Sequence, residues 1–512
     1  MISYRPRLAL CLTLITTQAG GDLAAQQSLP NPLAVVGATL IDGNGGPAIP
    51  NTTVLMVGDR ITAVGPRATL KVPANARILP GEGRYVLPGF VDANSHMSVY
   101  VYTESMLKYE DRFPEIVLEA AQLHLKHGVT TVRDSYGALI PLKQVRDAIA
   151  RGEAVGPRIL AAGNIVGWGG PFSATWGGHV PPTGWLEYRP LTVWEEKWND
   201  FITQGSGEDL LDMTLDELRV AINAYLDKGV DFLKYGGSTH WSQPNLLLFS
   251  PDAQKVIIDE THKRGLVAET HTMTLEGMKM AILAGVDLIQ HPEFLVRKIS
   301  DEVVTLMRER GVICGIGFRT VGQAWTAHLE RQAAAQAQLN PNRVQTTDSR
   351  NRERRELRLF TNDRRYNTEA LIKGGCKVAV ASDAYLPRAP EYGRTPRTGI
   401  PGPTGPGVGT LNQIEALVEL GMTPSQAIVA ATKNGAMASK ALDKYGTIEV
   451  GKAADVLLLG ADPLADIKNI RNQVEVIRAG RVVDRDALPV KPVFFPNSRG
   501  PFPLRPLPPE PR

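Results

Sequence analysis

Two patterns of apolar and polar positions occur along the chain, one near its ends and one in its middle. Near its ends, residues 33–78 and 446–483 alternate short apolar runs with turns that contain Gly and Asp. This pattern is typical of short strands in a small sheet or sandwich. In the middle, longer apolar runs recur, and each is typically followed by a turn and an amphipathic helical pattern. The predicted middle strands are residues 86–92, 129–134, 159–163, 230–235, 266–271, 286–291, 312–317 and 378–383.

Continuous apolar strands that alternate with helices predict a parallel sheet covered by helices. Eight such units fit a closed barrel better than an open sheet. A doubly wound sheet would usually carry a Gly-rich phosphate turn after its first strand, and residues 92–96, DANSH, are not one. We therefore predict an α/β fold with a (β/α)8 TIM barrel over residues 86–442. Residues 26–85 and 443–490 would form a small composite β-sandwich domain.

Two long insertions interrupt the alternation of strands and helices in the middle of the chain. Residues 165–212 hold five of the seven tryptophans, and the second insertion contains a charged run at residues 350–365. Loops of this length are usually functional or disordered, and the tryptophans favour an ordered lid. Residues 491–512 form a Pro-rich tail, for which we predict an extended conformation. The tryptophans of the first insertion are Trp168, Trp176, Trp185, Trp194 and Trp198.

The first 25 residues have the pattern of an export signal. Arg5 and Arg7 precede a short apolar run at residues 8–15, and small residues follow at 23–25. We expect an exported protein, periplasmic or extracellular, without a membrane span, because no apolar run reaches the about 20 residues that a bilayer requires. Cys314 and Cys376, the cysteines outside this segment, lie in apolar strand-like runs and are predicted to be buried, inert thiols.

Composition changes this picture little. The 512 residues are 43% hydrophobic, which suffices for one large domain and a smaller one. The net charge of +3 and the lack of basic runs interleaved with aromatic residues argue against a nucleic-acid partner. The expected partner is a small-molecule substrate, and a homo-oligomer is left open.

The informative chemistry lies where polar residues end apolar strands. In a (β/α)8 barrel, catalytic groups come from the carboxyl ends of the strands. One histidine at such a place is more often structural, but three with a lysine and an aspartate are hard to explain that way. Imidazole and carboxylate suit zinc, which lowers the pKa of a bound water to about 7. The residues are Asn94, His96, Lys234, His271, His291 and Asp383.

Lys234 ends a buried strand, where burial lowers the pKa of an amine. The neutral amine could capture carbon dioxide as a carbamate that bridges two cations, and a structural ion pair is the alternative. His179, His240 and Tyr235 are candidate substrate contacts, and Asp134 is as compatible with a structural role. Three further histidines lie on helix patterns, where a surface position or an interaction with the helix end is preferred: His124, His127 and His262.

At these positions the chain resembles the amidohydrolase superfamily. Residues 86–96, VLPGFVDANSH, are similar to its first-strand motif, residues 128–134, GVTTVRD, to its second strand, and residues 156–160, GPRIL, to its third. Residues 284–291, AGVDLIQH, are similar to the stretch that ends in the sixth-strand ligand, residues 379–383, AVASD, to the eighth strand, and residues 451–456, GKAADV, to the return into the sandwich. The nearest groups are the imidazolonepropionase-like and Xaa-Pro dipeptidase-like enzymes.

The resemblance implies one or two divalent metal ions, usually zinc. By position, His96 is a first-strand ligand, and Lys234 is the carboxylated bridge. His271 and His291 are further ligands, and Asp383 both binds metal and moves the proton. The family motif has a histidine where this chain has Asn94. An amide oxygen is a weaker zinc ligand than imidazole, so the metal ion held by the first strand and Asp383 should bind less tightly or be absent.

The function that follows is metal-dependent hydrolysis of a C–N bond, in an amide or dipeptide, by metal-activated hydroxide. An aminohydrolase that acts on a ring amine is the alternative among enzymes. From another class, Asn94 also allows a degenerate homologue that binds metal or ligand without turnover.

Overall fold

The computed structural model describes most of the chain between residues 31 and 500. The ranges described are 31–98, 103–176, 190–239, 245–295, 297–317, 363–386, 389, 391 and 405–500. Within these ranges, no helix has the length and apolar character needed to cross a membrane.

Strands from both ends of the chain join in one eight-stranded sheet. Its order is β18-β17-β16-β5-β1-β2-β3, and β4 pairs with β1. The two ends meet where β5 runs antiparallel to β16, with Leu87 opposite Leu457. Both sequence segments therefore contribute to one sheet, as their alternation predicts; its division into a two-layered sandwich stays a prediction. The strands are β1 Leu33–Leu40, β2 Ile49–Val57, β3 Arg60–Pro66, β4 Arg77–Pro80, β5 Tyr85–Pro88, β16 Val456–Leu459, β17 Gln473–Arg478 and β18 Arg481–Val482.

The middle strands form two parallel sheets, as the continuous apolar runs predict. One has the order β14-β13-β12-β11-β10-β9, and the other β15-β6-β7-β8. Apolar side chains pack on both faces of these sheets, which is why apolar and polar residues do not alternate along the strands. The strands are β6 Phe90–His96, β7 Val129–Asp134, β8 Arg158–Ala161, β9 Ile165–Val166, β10 Leu233–Gly236, β11 Ala268–His271, β12 Leu288–Gln290, β13 Ile313–Gly317, β14 Lys377–Ala381 and β15 Ala384–Tyr385.

Helices connect most of these strands. In α5, Thr214 and Glu217 form a capping box that starts the helix, and Leu218, Ile222 and Tyr225 form its buried face. The described helices are α1 Thr103–Lys108, α2 Phe113–Lys126, α3 Leu139–Ala150, α4 Val193–Thr203, α5 Leu215–Leu226, α6 Pro251–Lys263, α7 Leu275–Ala284, α8 Asp301–Arg310, α9 Arg364–Lys373, α10 Val408–Glu419, α11 Pro424–Ala431 and α12 Lys433–Met437.

The two cysteines differ from their expected state. Cys314 and Cys376 are both buried, as predicted, but they form a disulfide, with their Cα atoms 6.4 Å apart. The prediction of free thiols was wrong because the sequence does not show that β13 and β14 are neighbours. Pairing of these strands places Cys314 opposite Val378, two residues beyond Cys376.

Removing this disulfide is expected to lower the temperature of half-unfolding. A crosslink across a long loop typically contributes about 2–4 kcal/mol to stability. The double variant Cys314→Ala/Cys376→Ala should therefore unfold at a lower temperature than the wild type, measured by circular dichroism without reductant. In reductant the two proteins should unfold at similar temperatures. Two titratable thiols in the oxidised, denatured wild type, in addition to that of Cys11, would contradict the disulfide.

The beginning of the predicted tail packs against α2. The Phe494 and Phe495 amides donate hydrogen bonds to the Glu119 carboxylate at 2.7 and 2.9 Å. The Lys126 ammonium donates to three carbonyl groups at 2.7–2.9 Å, two of them in the tail and one just before it. Residues 491–500 are therefore not a free extended tail, because their backbone provides partners for two buried charges. Residues 501–512 lie outside the described ranges. The three carbonyl groups belong to Leu488, Ser498 and Gly500.

Candidate active site

The carboxyl ends of the parallel strands carry the predicted site residues. His96 and His271 are the last residues of β6 and β11, and His291 follows β12 directly. Asp383 comes two residues after β14, and Lys234 lies inside β10. Neighbouring parallel strands bring their carboxyl ends to the same edge, so these side chains share one face of the fold.

His96 and Asp383 form the first pair of donors. The His96 Nε2 atom lies 2.9 Å from the Asp383 Oδ1 atom, and the other ring nitrogen lies 3.0 Å from the Tyr136 carbonyl oxygen. A carbonyl only accepts, so His96 Nδ1 carries a proton. At this distance from a carboxylate oxygen, Nε2 either carries a second proton and donates a hydrogen bond to Asp383, or presents a lone pair that requires a cation between the two atoms.

His271 and His291 form the second pair. The His271 Nδ1 and His291 Nε2 atoms lie 3.1 Å apart, and the ring planes are inclined by 69°. Two nitrogens that bind one tetrahedral zinc ion at about 2.0–2.1 Å are separated by roughly 3.4 Å. The observed separation therefore fits two ligands of a common divalent cation.

Asn94 contacts the first pair. Its side-chain nitrogen donates to Asp383 Oδ1 at 3.2 Å, and its side-chain oxygen is buried with no hydrogen-bond partner among the described residues. In the described ranges, no three His, Cys, Asp or Glu side chains already stand together at metal-binding geometry. The donors are instead arranged as two pairs, and their chemistry fits a divalent cation at each.

Charges and burial set the protonation of these groups. Burial lowers the pKa of His291 to about 3, so its ring is neutral, the form that binds metals. Burial alone would raise the pKa of Asp383, but the hydrogen bond from His96 and neighbouring positive charges outweigh it and hold this pKa well below its usual range. Burial also lowers the pKa of the Lys234 ammonium, although nearby carboxylates, first that of Glu269, oppose the shift.

Two site residues have a strained backbone. His291 and Asp383 have φ angles of +40° and +54°, in the left-handed region that residues other than glycine rarely adopt. Such a conformation costs about 1–3 kcal/mol and persists where the surrounding structure enforces it. Gly317 packs beside both residues: a Cβ atom there would lie 2.8 Å from the Ala381 carbonyl oxygen. The close packing leaves no space for a side chain at this position.

Two carboxyl groups lie near the site although the sequence assigned neither of them a role in it. Asp134, left open as structural, accepts a hydrogen bond from the Met97 amide at 2.6 Å, next to His96. Burial raises its pKa to about 7, against the charge of His96. Glu293, which was not among the residues predicted from the sequence, accepts from the Gly317 amide at 3.2 Å, and burial raises its pKa to about 7. Only its position two residues after His291 could have signalled it.

Three further residues were predicted to contact the substrate. His179 and His240 lie outside the described residues. Tyr235 is buried on the opposite side of β10 from Lys234, because side chains alternate along a strand. Its hydroxyl donates to the Gln254 side chain at 3.0 Å, so the structure does not bring it to the two donor pairs.

The helical histidines divide into two groups. His262 is one-third exposed and pairs with Asp287 at 2.7 Å, in agreement with a surface role. His124 and His127 are fully buried, and burial lowers the pKa of both to about 3. The surface interpretation was therefore wrong for these two, because α2 is covered by the segment that precedes α10, where the Gly407 amide donates to His124. For His127 the other interpretation, an interaction with the helix end, agrees with the 2.7 Å contact between its ring and the Leu123 carbonyl.

Aromatic side chains of the first insertion reach the site. The Trp168 ring lies 4.8 Å from the His271 ring, edge to face, and its nitrogen donates to the Ser238 carbonyl. Trp176 packs on Tyr136, whose carbonyl contacts His96. Trp194 and Trp198 lie farther away, in α4, where they pack against Phe172 and Phe113. The described part of the insertion thus packs at this edge of the fold, whereas its role as an ordered lid stays a prediction, and Trp185 lies outside the described residues.

Comparison with known proteins identifies the family. The amidohydrolase family matches residues 85–483, which is most of the chain. This chain belongs to the amidohydrolase family. Membership confirms the resemblance found in the sequence and the prediction of a hydrolase that acts on carbon–nitrogen bonds.

Several relatives of this amidohydrolase have known activities. Ochratoxinase of Aspergillus niger is 25% identical over 456 residues, covering 84% of this chain and 81% of that protein. Imidazolonepropionase of Geobacillus kaustophilus is 22% identical over 486 residues, covering 86% and 91%.

Solved structures extend the comparison to the fold. Molinate hydrolase and phenylurea hydrolase B are each 30% identical to this amidohydrolase, with a TM-score of 0.78 and 91% of this chain covered. The alignments cover 97% and 99% of those chains. A Xaa-Pro dipeptidase, at 20% identity and a TM-score of 0.65, shares the fold. Together they support a TIM-barrel-like α/β fold.

Proposed function

We propose that this amidohydrolase uses divalent metal, with zinc as the expected ion, to hydrolyse an amide-type C–N bond of a small molecule. One observation carries the proposal, the close approach of potential metal ligands within two pairs at the carboxyl ends of the strands. The His96 Nε2 and Asp383 Oδ1 atoms lie 2.9 Å apart in the first pair, and the two histidine nitrogens lie 3.1 Å apart in the second. The donor types in each pair suit a shared divalent cation, and both separations are only a few tenths of an ångström shorter than the roughly 3.4 Å expected for two ligands of one zinc ion. Closure of the two parallel sheets into one (β/α)8 barrel belongs to the same proposal. It is supported by a hydrogen bond of 2.9 Å from the Ser382 amide, beyond β14, to Asp92 of β6.

The two pairs would hold metal with unequal strength. His271 and His291 would bind one ion with Lys234, whose lowered pKa favours the neutral amine that carbon dioxide carboxylates. His96 and Asp383 would bind a second ion, which Asn94 would hold less tightly than a histidine. A bound divalent cation would acidify water and polarise the substrate carbonyl.

Asp383 is suited to move the proton. Its side chain is 22% exposed, whereas that of His96 is 7% exposed, so the carboxylate is the more accessible member of the pair. Its lowered pKa keeps it ionised and able to accept a proton from the attacking water. The same carboxyl group would then donate that proton to the leaving amine nitrogen.

The aromatic side chains support a substrate with a planar or apolar group. Trp168 and Tyr136 lie beside His271 and His96 respectively. The relatives' names point the same way, since they include a phenylurea hydrolase and an ochratoxinase. We therefore propose N-acyl, dipeptide and urea-type compounds with an aromatic or apolar substituent as the substrate class.

Metal analysis and product assays test this proposal on the purified protein. We expect bound zinc and release of an amine together with a carboxylic acid from a panel of N-acyl amino acids and dipeptides. From N-phenylureas we expect aniline, carbon dioxide and the second amine. Release of ammonia from a ring amine, without acid formation, would favour the aminohydrolase alternative. Bound metal without turnover of any compound would favour a degenerate homologue.

Asn94→His is expected to raise the metal content. Imidazole binds zinc more strongly than an amide oxygen does, and position 94 already contacts Asp383 at 3.2 Å. Mass spectrometry of the metal after limited chelation should show more ion retained than in the wild type. Asn51→His, a change at an exposed position of β2, is the matched control. An unchanged metal content in Asn94→His would place Asn94 outside the coordination of the metal.

We also propose that the protein is exported. The Cys314–Cys376 disulfide supports this, because disulfides persist mainly in oxidising compartments. Fractionation of the producing cells should find the protein outside the cytoplasm, and recovery in the cytoplasmic fraction alone would contradict export.

A further inference from the structure

Ser95 lies between two of the proposed first-strand donors but faces away from them. Successive side chains of a strand point to opposite sides, so Asn94 and His96 share one side and Ser95 occupies the other. On that side Ser95 meets His124 of α2, with 3.0 Å between Ser95 Oγ and His124 Nε2. Both side chains are fully buried. The family comparison assigns neither of them a role.

The hydrogen bonds at His124 have fixed directions. The Gly407 amide donates to His124 Nδ1 at 3.1 Å, so this nitrogen must accept. The neutral ring then carries its proton on Nε2 and donates to the Ser95 hydroxyl oxygen. The hydroxyl in turn donates to the Ala384 carbonyl at 3.2 Å. The result is one directed chain, from Gly407 through His124 and Ser95 to Ala384. Burial keeps the ring neutral, since it lowers the pKa of His124 to about 3.

This chain ends at the residue that follows Asp383. Ala384 pairs with Ser95 in register, and the Asp383 amide donates to the Asn94 carbonyl at 2.8 Å. On the other side of Asp383, the Ser382 amide and hydroxyl both donate to Asp92. Asp383 is thus held from both neighbours, which explains how its backbone persists at a φ of +54°.

We propose that His124 and Ser95 are positioning residues of the active site: they hold Asp383 in register with His96 and Asn94. The inference rests on the proposed function, because the aligned groups are its metal ligands and its proton carrier. Because both side chains lie on the opposite side of β6 from Asn94 and His96, neither would touch the substrate or the metal. Partners that orient metal ligands in this indirect way typically change metal affinity or activity by about 10–100-fold when they are lost.

Ser95→Ala and His124→Leu test this role, with His127→Leu as the matched control. His127 is equally buried, one turn along from His124, and its ring contacts the Leu123 carbonyl at 2.7 Å rather than β6. We expect all three to lose thermal stability, the two leucine variants to a similar extent. Only Ser95→Ala and His124→Leu should show zinc binding weakened about 10–100-fold and kcat lowered to a similar extent, with KM within about threefold.

Hydrogen exchange of the peptide that spans residues 381–386 gives a measurement independent of metal and turnover. We expect faster exchange in Ser95→Ala and His124→Leu, and wild-type exchange there in His127→Leu. Wild-type exchange in all three variants would overturn the positioning role, as would a loss of zinc affinity in His127→Leu equal to that in His124→Leu. A wild-type protein that binds no divalent metal would instead refute the proposed function, and the exchange result would still decide the positioning role.

Discussion

Asp383→Asn is expected to lower kcat by about 10²–10⁴-fold, the range typical of losing a general acid–base group. The amide cannot accept the proton from water or return it to the leaving amine. It also removes the negative charge that faces His96 Nε2 at 2.9 Å, so the metal ion of this pair should bind more weakly. The fold should persist, because the backbone contacts that hold residue 383 do not involve its side chain.

Steady-state kinetics on the best substrate of the panel, with metal content measured on the same samples, checks this result. Asp443→Asn is the control, since Asp443 is exposed and distant in sequence from the strand ends. It should retain wild-type kcat. Activity in Asp383→Asn within a few-fold of the wild type would remove Asp383 from the mechanism.

Lys234→Ala is expected to lose metal and activity together. Lys234 is 2% exposed, and its nearest charges include Glu269 and Asp134. Without the lysine the proposed carbamate could not form, so the metal ions would lose a ligand. The loss should exceed the about 10–100-fold that an outer partner of a metal typically costs.

Carbon-13 bicarbonate distinguishes the two interpretations of Lys234. The wild type should show a carbamate carbon signal that is absent from Lys234→Ala, and a short carboxylic acid such as acetate should restore part of the metal content of the variant. Lys263→Ala, at an exposed position of α6, should behave as the wild type. Full metal content in the wild type without a carbamate signal would favour the structural ion pair.

The strand ends were predictable because their signal is local. An apolar run followed by His271 or His291 is visible in the sequence, and the parallel arrangement then brings such ends to one edge. The pairing within the site was not predictable, since the 3.1 Å contact between these two histidines depends on how neighbouring strands are staggered. The order of residues along the chain does not show which of these side chains are in contact or how far apart they lie.

Two properties were not predictable from the sequence, namely the burial of helical residues and the adjacency of strands. His124 and His127 lie near the end of α2, where a pattern of charged and apolar residues suggests a surface. The chain that covers them lies almost 300 residues later, beginning near Gly407. The Cys314–Cys376 disulfide was missed for the same reason, because adjacency of β13 and β14 spans a separation of 62 residues. Tyr235 shows a smaller error: its strand was predicted, but not which side it faces.

The joined chain ends have a consequence for synthesis. β5 completes its pairing only with β16, and the Lys126 ammonium of α2 finds its three carbonyl partners only at residues 488–500. During translation β5 therefore lacks one neighbouring strand, and α2 lacks the segment that covers Lys126, until residues 456–500 have been made. A chain that stops short of residue 488 should be cleaved by proteases more readily than the chain of 512 residues.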